Sequence, residues 1–256
     1  MRVAHVSDPH FGRIACEHVE QALLECIVRN RCDMVLVTGD LTQRARVSEF
    51  KDAGLFLNRL PVPYLVIPGN HDVHAWWHRP DLRLFNPLKR YKKMISEEIE
   101  PMISQREYAI LGLNSAHGLT IKGGRCTSGH LRKIREFFSQ QSSHTFKILA
   151  IHHPISLVKS FNIRDVARRG NQVLDVAAQS GVDVICAGHW HLSHVSCSDI
   201  NGSHVHLSIA GTVTSDRWRP PQMGLNSWNL IVKSSEGVDI QVHQYQKKTR
   251  TFNKLS

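Results

Sequence analysis

Tyr64-Leu65-Val66-Ile67-Pro68-Gly69-Asn70-His71-Asp72 joins four strand-forming residues to a turn crowded with metal-ligand side chains. The apolar run is too short for a helix and reads as a buried strand. The turn behind it offers an amide oxygen, an imidazole and a carboxylate in three consecutive residues. A strand ending this way presents those groups beyond its carboxyl edge, where open α/β sheets bind their ligands.

The same arrangement recurs outward in both directions. Residues 3–7 run into Asp8-Pro9-His10, and residues 34–38 run into Gly39-Asp40. Residues 148–151 deliver His152-His153-Pro154, and residues 182–187 deliver Gly188-His189-Trp190-His191. Between the strands lie apolar stripes at helical spacing. They are Val19, Leu23, Cys26 and Ile27; Leu131, Ile134, Phe137 and Phe138; and Val173, Leu174, Ala177 and Ala178, the last closed by Gly181. Helices alternating with buried strands define an α/β architecture. Beyond Gly188, residues 193–200, 204–210, 227–232 and 238–245 read as antiparallel strands joined by turns such as Asn201-Gly202. This part of the chain is therefore expected to form a second sheet packed on the first. The fold expected is α/β, a two-sheet mixed sandwich flanked by helices. The 256 residues are read as one domain, with an insertion or cap over residues 74–105.

The ligand types agree with one another. Carboxylate, imidazole and amide oxygen suit Mn, Fe, Zn or Co, and no thiolate is offered at the strand ends. Asp40 carries two oxygens and can bridge two cations, as two-metal hydrolases require. Gly39 and Gly69 remove a side chain where the backbone has to turn tightly. A lone Asp-x-His or Gly-Asp is ordinary surface or turn; five such clusters in order, each directly behind a buried strand, are not. Two aspartates and neutral imidazoles leave two cations with net positive charge, which attracts a phosphate anion and activates bound water near neutral pH.

Asp8-x-His10, Gly39-Asp40, Gly69-Asn70-His71-Asp72, His152 and Gly188-His189-x-His191 together resemble the calcineurin-like metallophosphoesterase superfamily over residues 8 to 191. Gly39-Asp40-Leu41-Thr42 and Ala210-Gly211-Thr212 are similar to its class III cyclic-nucleotide phosphodiesterase branch. The protein-phosphatase branch has a second Asp and an Arg-Gly after its Gly-Asp, where this chain has Gln43-Arg44-Ala45. The resemblance implies a four-layer sandwich and two transition-metal ions, one on Asp8, His10 and His191, the other on Asn70, His152 and His189, with Asp40 bridging. It implies that His71 serves the phosphoryl group or the leaving oxygen, not a metal. Asp72 either fixes the tautomer of His71 or caps the following turn, and His153 supports the site or the fold.

Around this centre the sequence leaves alternatives open. Residues 74–105 hold Trp76, Trp77, His78, Arg79, Arg83, Lys89, Arg90, Lys92 and Lys93. They form either a cap touching substrate, with Arg79 and Arg83 as candidates, or a flap with a solvated basic face. Phe161, Arg164, Arg168, Arg169 and the Arg217-Trp218-Arg219 run either approach substrate or lie on the surface. The formal charge of +10 favours an acidic partner without choosing one. Lys247-Lys248-Thr249-Arg250 reads as a solvated tail. Six cysteines show no C-x-x-C spacing, no leader is evident, and no run reaches the roughly 18–20 apolar residues of a membrane span, so a reducing cytoplasm is expected. The expected activity is hydrolysis of a small-molecule, nucleotide-like phosphodiester by metal-bound hydroxide. Alternatives are pyrophosphate cleavage in a nucleotide-linked lipid precursor with peripheral membrane contact, a nuclease, for which no added DNA-binding region is visible, and a scaffold without activity. Sequence alone does not fix the oligomeric state.

Overall fold

The computed structural model describes residues 1–77, 79–119, 123–156 and 165–255. His78, Phe161 and Arg164 lie outside the described residues. The first half of the chain supplies β1 (Arg2–Val6), α1 (Val19–Arg29), β2 (Met34–Thr38), α2 (Val47–Asn58) and β3 (Tyr64–Ile67). Two short helices follow, α3 (Pro80–Phe85) and α4 (Lys89–Met94), and then β4 (Met102–Ser104) and β5 (Tyr108–Leu113). The second half adds α5 (Ser128–Ser139), β6 (Phe146–Ile151), α6 (Gly170–Gln179), β7 (Val184–Ala187), β8 (His194–Ile200) and β9 (Ser203–Ile209). It ends with β10 (Ser227–Ser234), β11 (Gly237–Gln246) and β12 (Thr251–Lys254).

Two six-stranded sheets result, ordered β12-β11-β10-β1-β2-β3 and β4-β5-β6-β7-β9-β8. The β1-β2-β3 block and the β5-β6-β7-β9 block are parallel; the remaining pairings are antiparallel. Successive side chains of a strand face opposite sides, and here both sides are buried, which is why the strands read as unbroken apolar runs. Val3, Met34, Leu36, Leu65 and Ile67 of the first sheet meet Ile110, Ile148, Ala150, Val184 and Cys186 of the second. Their neighbours Ala4, Val6, Val35 and Val37 face outward onto Leu23, Ile27, Phe50 and Phe56 of α1 and α2. On the opposite flank, Leu149, Ile151 and Ile185 pack on Ile134, Phe138, Val173 and Ala177 of α5 and α6. The layers are helix, sheet, sheet, helix.

Two expectations are corrected. The antiparallel strands beyond Gly188 do not form a sheet of their own. β8 and β9 extend the second sheet, whereas β10 to β12 complete the first through pairing of β10 with β1. Residues 247–250 are exposed, but as the turn of a hairpin, because β12 pairs with β11 and buries Phe252. Residues 74–105 carry α3 and α4, with Lys89, Lys92 and Lys93 exposed. Leu88 and Tyr91 are buried in the first core, and β4 belongs to the second sheet. Among the described residues, no helix is long and apolar enough to cross a membrane.

Candidate metal centre

The five ligand-bearing loops follow β1, β2, β3, β6 and β7, three from one sheet and two from the other, and they converge at one end of the sandwich. The donor atoms of Asp8, His10, Asp40 and His191 all lie within 4.8 Å of one another. Nε2 of His191 is 3.2 Å and Nε2 of His10 is 3.5 Å from Oδ1 of Asp8; Nε2 of His10 is 3.6 Å from Oδ2 of Asp40. On the other side of Asp40, Nε2 of His152 stands 3.4 Å from Oδ1 and 3.1 Å from the Asn70 amide oxygen. His189 completes this half. All seven side chains are buried.

The backbone aims them. Asp8, His10, Asp40, His189 and His191 have φ between 47° and 70°, a left-handed conformation that non-glycine residues seldom hold and that marks functional strain. Glycines at two turns permit the close approach. A Cβ on Gly69 would stand 2.2 Å from Oδ1 of Asp40, and one on Gly188 would stand 1.8 Å from the Ser7 hydroxyl. Hydrogen bonds then fix the rings. Nδ1 of His10 faces the Thr42 carbonyl, that of His152 faces Thr38 and that of His191 faces Arg217, so each ring turns Nε2 inward. The Ser7 hydroxyl and the His189 amide donate to Oδ2 of Asp8 at 2.7 and 2.8 Å, leaving Oδ1 free. Thr212 of the β9–β10 loop donates to the Asp8 carbonyl.

The electrostatics suit cations. Oδ1 of Asp8, Oδ2 of Asp40 and Nε2 of His189 are buried without a hydrogen-bond partner, a costly state for acceptors that a metal ion relieves. Burial would raise the pKa of both aspartates. The imidazoles outweigh it, His191 and His10 at Asp8, His152 and His71 at Asp40, and hold both well below the usual range. Burial pushes His10 down to about 3 and lowers His189, so both present neutral, ligating nitrogens. For His152 burial acts downward too, but Asp40, Asp8 and the Thr38 carbonyl prevail and lift it to about 9. The residues therefore fit two ions.

The surrounding residues are placed as follows. His71 has its ring edge-on to His10, Nδ1 2.8 Å from the Gln43 carbonyl and Nε2 2.8 Å from Nη1 of Arg217. Burial lowers its pKa. Asp72 neither touches the His71 ring nor merely caps a turn. Its carboxylate accepts from the amides of Gly69, Leu41 and Thr42 and from the Thr42 hydroxyl, pinning the Asn70 loop to the Asp40 loop. Burial and the charge of Asp40 raise its pKa to about 7. A ring nitrogen of His153 falls in a cluster with His152 and His189, while its Nδ1 lies 2.8 Å from the Ser115 hydroxyl.

A cleft of about 210 Å³ opens beside Asn70 and His71, lined by Arg44, Trp76, Trp77 and Arg217 among others. Arg83 is in its wall, buried, donating to the carbonyls of His74 and Gly118. Arg79 is not: it is exposed and paired with Asp81 at 2.6 Å. Of the Arg217-Trp218-Arg219 run, only Arg217 enters the cleft, and no local motif singles it out. Arg168 and Arg169 line a different cavity.

A helix–sheet–sheet–helix sandwich whose strand ends from both sheets pool carboxylates and imidazoles is the build of the calcineurin-like phosphoesterases. The chain belongs to that family, whose model matches residues 1–193. It is 30% identical over 169 residues to a probable glycerophosphodiester phosphodiesterase, GpdQ, of Arcobacter nitrofigilis, covering 60% of this chain and 57% of the relative. A probable cyclic nucleotide phosphodiesterase of Ruthia magnifica is 23% identical over 152 residues, 59% of this chain and 58% of that protein. The chain thus spans less than two thirds of the length of these relatives. Purple acid phosphatase PPD1 from yellow lupin (Lupinus luteus) seeds shares the fold, with a TM-score of 0.72 at 11% identity over 99% of this chain and 52% of that one.

Proposed function

We propose that the chain is a dinuclear-metal-dependent phosphodiesterase acting on a nucleotide-type phosphodiester, a cyclic nucleotide being the first to try. The observation that carries this reading is the convergence of seven buried donors from five loops, three of whose atoms have no partner in the protein. Asp8, His10 and His191 would hold one ion and Asn70, His152 and His189 the other, with Asp40 shared. Mn, Fe, Zn and Co all suit this donor set. Bound there, the ions would supply Lewis acidity and lower the pKa of water. His153 is assigned to hold the wall behind His152 and His189 through its bond to Ser115.

The chain's own groups do the rest. Nδ1 of His71 faces a carbonyl, which leaves Nε2 toward the cleft to hold or move the proton of the leaving oxygen. Arg217 sets a guanidinium beside it for the phosphoryl oxygens. Trp76 and Trp77, the latter with Arg44 5.0 Å above its ring, offer planar and cationic surface for the second organic group of a diester. The relatives named as phosphodiesterases support the same class. On the cysteine usage we assign the reaction to the cytoplasm.

A second reading, pyrophosphate cleavage in a nucleotide-linked lipid, is favoured by one observation. The segment that lines the cleft also exposes Trp77, Leu84 and Phe85, the last 87% accessible. The deciding comparison is kcat/KM for bis-aryl and mono-aryl phosphates, cyclic nucleotides and a nucleotide-diphosphate lipid at equal metal loading. The diesters are expected to lead; a tenfold preference for the monoester overturns the diesterase assignment, and a preference for the lipid selects the second reading.

A further inference from the structure

In the loops that follow β5 and β6, a second cavity is lined by Arg125, Cys126, Thr127, Ser128, Arg168 and Arg169. It shares no lining residue with the cleft at His71. Its arginines are brought together by the backbone. Arg125 and Arg168 face one another in a parallel β-bridge, held by Arg168 N to the Gly124 carbonyl at 2.9 Å and Cys126 N to the Arg168 carbonyl at 3.1 Å. Arg169 follows at φ 66°, a left-handed position that keeps it at the start of α6 although its side chain makes no capping bond.

Three exposed arginines line this cavity. Among the described residues none of them has a carboxylate within ion-pairing distance. Like charges held together repel unless an anion joins them. The remaining lining groups favour the same guest. α5 starts at Ser128 and α6 at Gly170, so two helix N-termini adjoin the cavity. The Ser128 hydroxyl can donate, as can that of Thr127, whose oxygen already accepts from His130. Forked donors of this kind match phosphate oxygens in pairs.

We propose that this cavity is a second anion site, taking the phosphate group of a small soluble molecule independently of the metal centre. The proposal does not rest on the catalytic reading. It is tested by calorimetric titration of inorganic phosphate, and separately of glycerol 3-phosphate, into the metal-loaded full chain at low salt. The wild type is expected to show a binding step that the R125Q/R168Q/R169Q variant loses or weakens at least tenfold. Metal content and kcat toward a bis-aryl phosphate should stay near wild type in that variant. Should the triple variant fail to fold, Arg125→Gln alone, at an exposed position, is expected to weaken the same step about threefold or more. Isotherms identical to wild type overturn the proposal, as does phosphate binding that disappears entirely when the metals are removed. Binding to anionic lipid vesicles with no step for either soluble phosphate also overturns it, since the arginines would then be reading a membrane.

Discussion

Asp40 stands between two groups of nitrogens, with His10 on one carboxylate oxygen and His152 on the other. Asp40→Ala is therefore expected to abolish binding of both metals, whereas Asn70→Ala should weaken chiefly one; elemental analysis of the purified variants separates the two outcomes. His71 is set apart from the donors by its bonds to Gln43 and Arg217. His71→Ala should keep wild-type metal content and lower kcat by roughly 10²–10⁴, with a smaller loss for an aryl ester whose leaving group needs little protonation. Loss of both metals in this variant would make His71 a ligand. His152 carries a linkage effect. Its pKa in the metal-free fold is raised from 6.5 to about 9. A raised histidine pKa stabilises the metal-free fold fully below 6.5 and loses that contribution as pH rises through 9. At pH 7 an incoming metal must displace the proton on Nε2, so loading should release about one proton per chain and weaken as pH falls. Calorimetry of metal binding in buffers of different ionisation enthalpy reads that number directly; no dependence on buffer would contradict it.

At the scale of elements, the turns behind the strands decide whether the donors meet. Gly188 lies so close to the Ser7 and Asp8 side chains that a single methyl group displaces them. Gly188→Ala is expected to cost about 3 kcal/mol or more and to lower metal content, seen together in thermal melts and elemental analysis. A fully loaded variant with an unchanged Tm would show that the loop can shift freely. These turns were legible in the sequence because each places its ligands directly behind a short, mostly apolar strand. Their left-handed backbone at Asp8, Asp40 and His189 was not, since only glycine announces that conformation from composition. α2 carries its stripe openly in Phe50, Ala53, Phe56 and Leu57, with Glu49 accepting from the amide of Arg46 at its start. β5 was hidden by Gly112 near its end, which reads as a breaker. Arg217 reaches the cleft only because the β9–β10 loop is tied down through Thr212 and Thr214 to the residues after β1, a contact across more than two hundred positions that no local pattern records.

For the molecule as a whole, the two sheets meet at the candidate metal centre as well as across their apolar faces, because each contributes buried carboxylates or imidazoles to it. Metal removal should thus loosen the sandwich itself. Ligands present at a thousandfold their Kd stabilise by about 4 kcal/mol, which for a chain of this size corresponds to a Tm lower by roughly 10 °C after chelation. A melt unaffected by chelator would mean that the ions sit on an already rigid frame. The pairing of β1 with β10 has a consequence in time. Val3 finds its partner at Ile231, and at about 5–20 residues per second the ribosome needs on the order of 10–45 s to deliver one after the other. Throughout that interval one edge of β1 is bare, beside the aspartate and histidine that follow it. A nascent chain halted before residue 227 should therefore be a preferred client of chaperones that cover open strand edges, and should remain unable to retain metal until the last strands of its first sheet emerge.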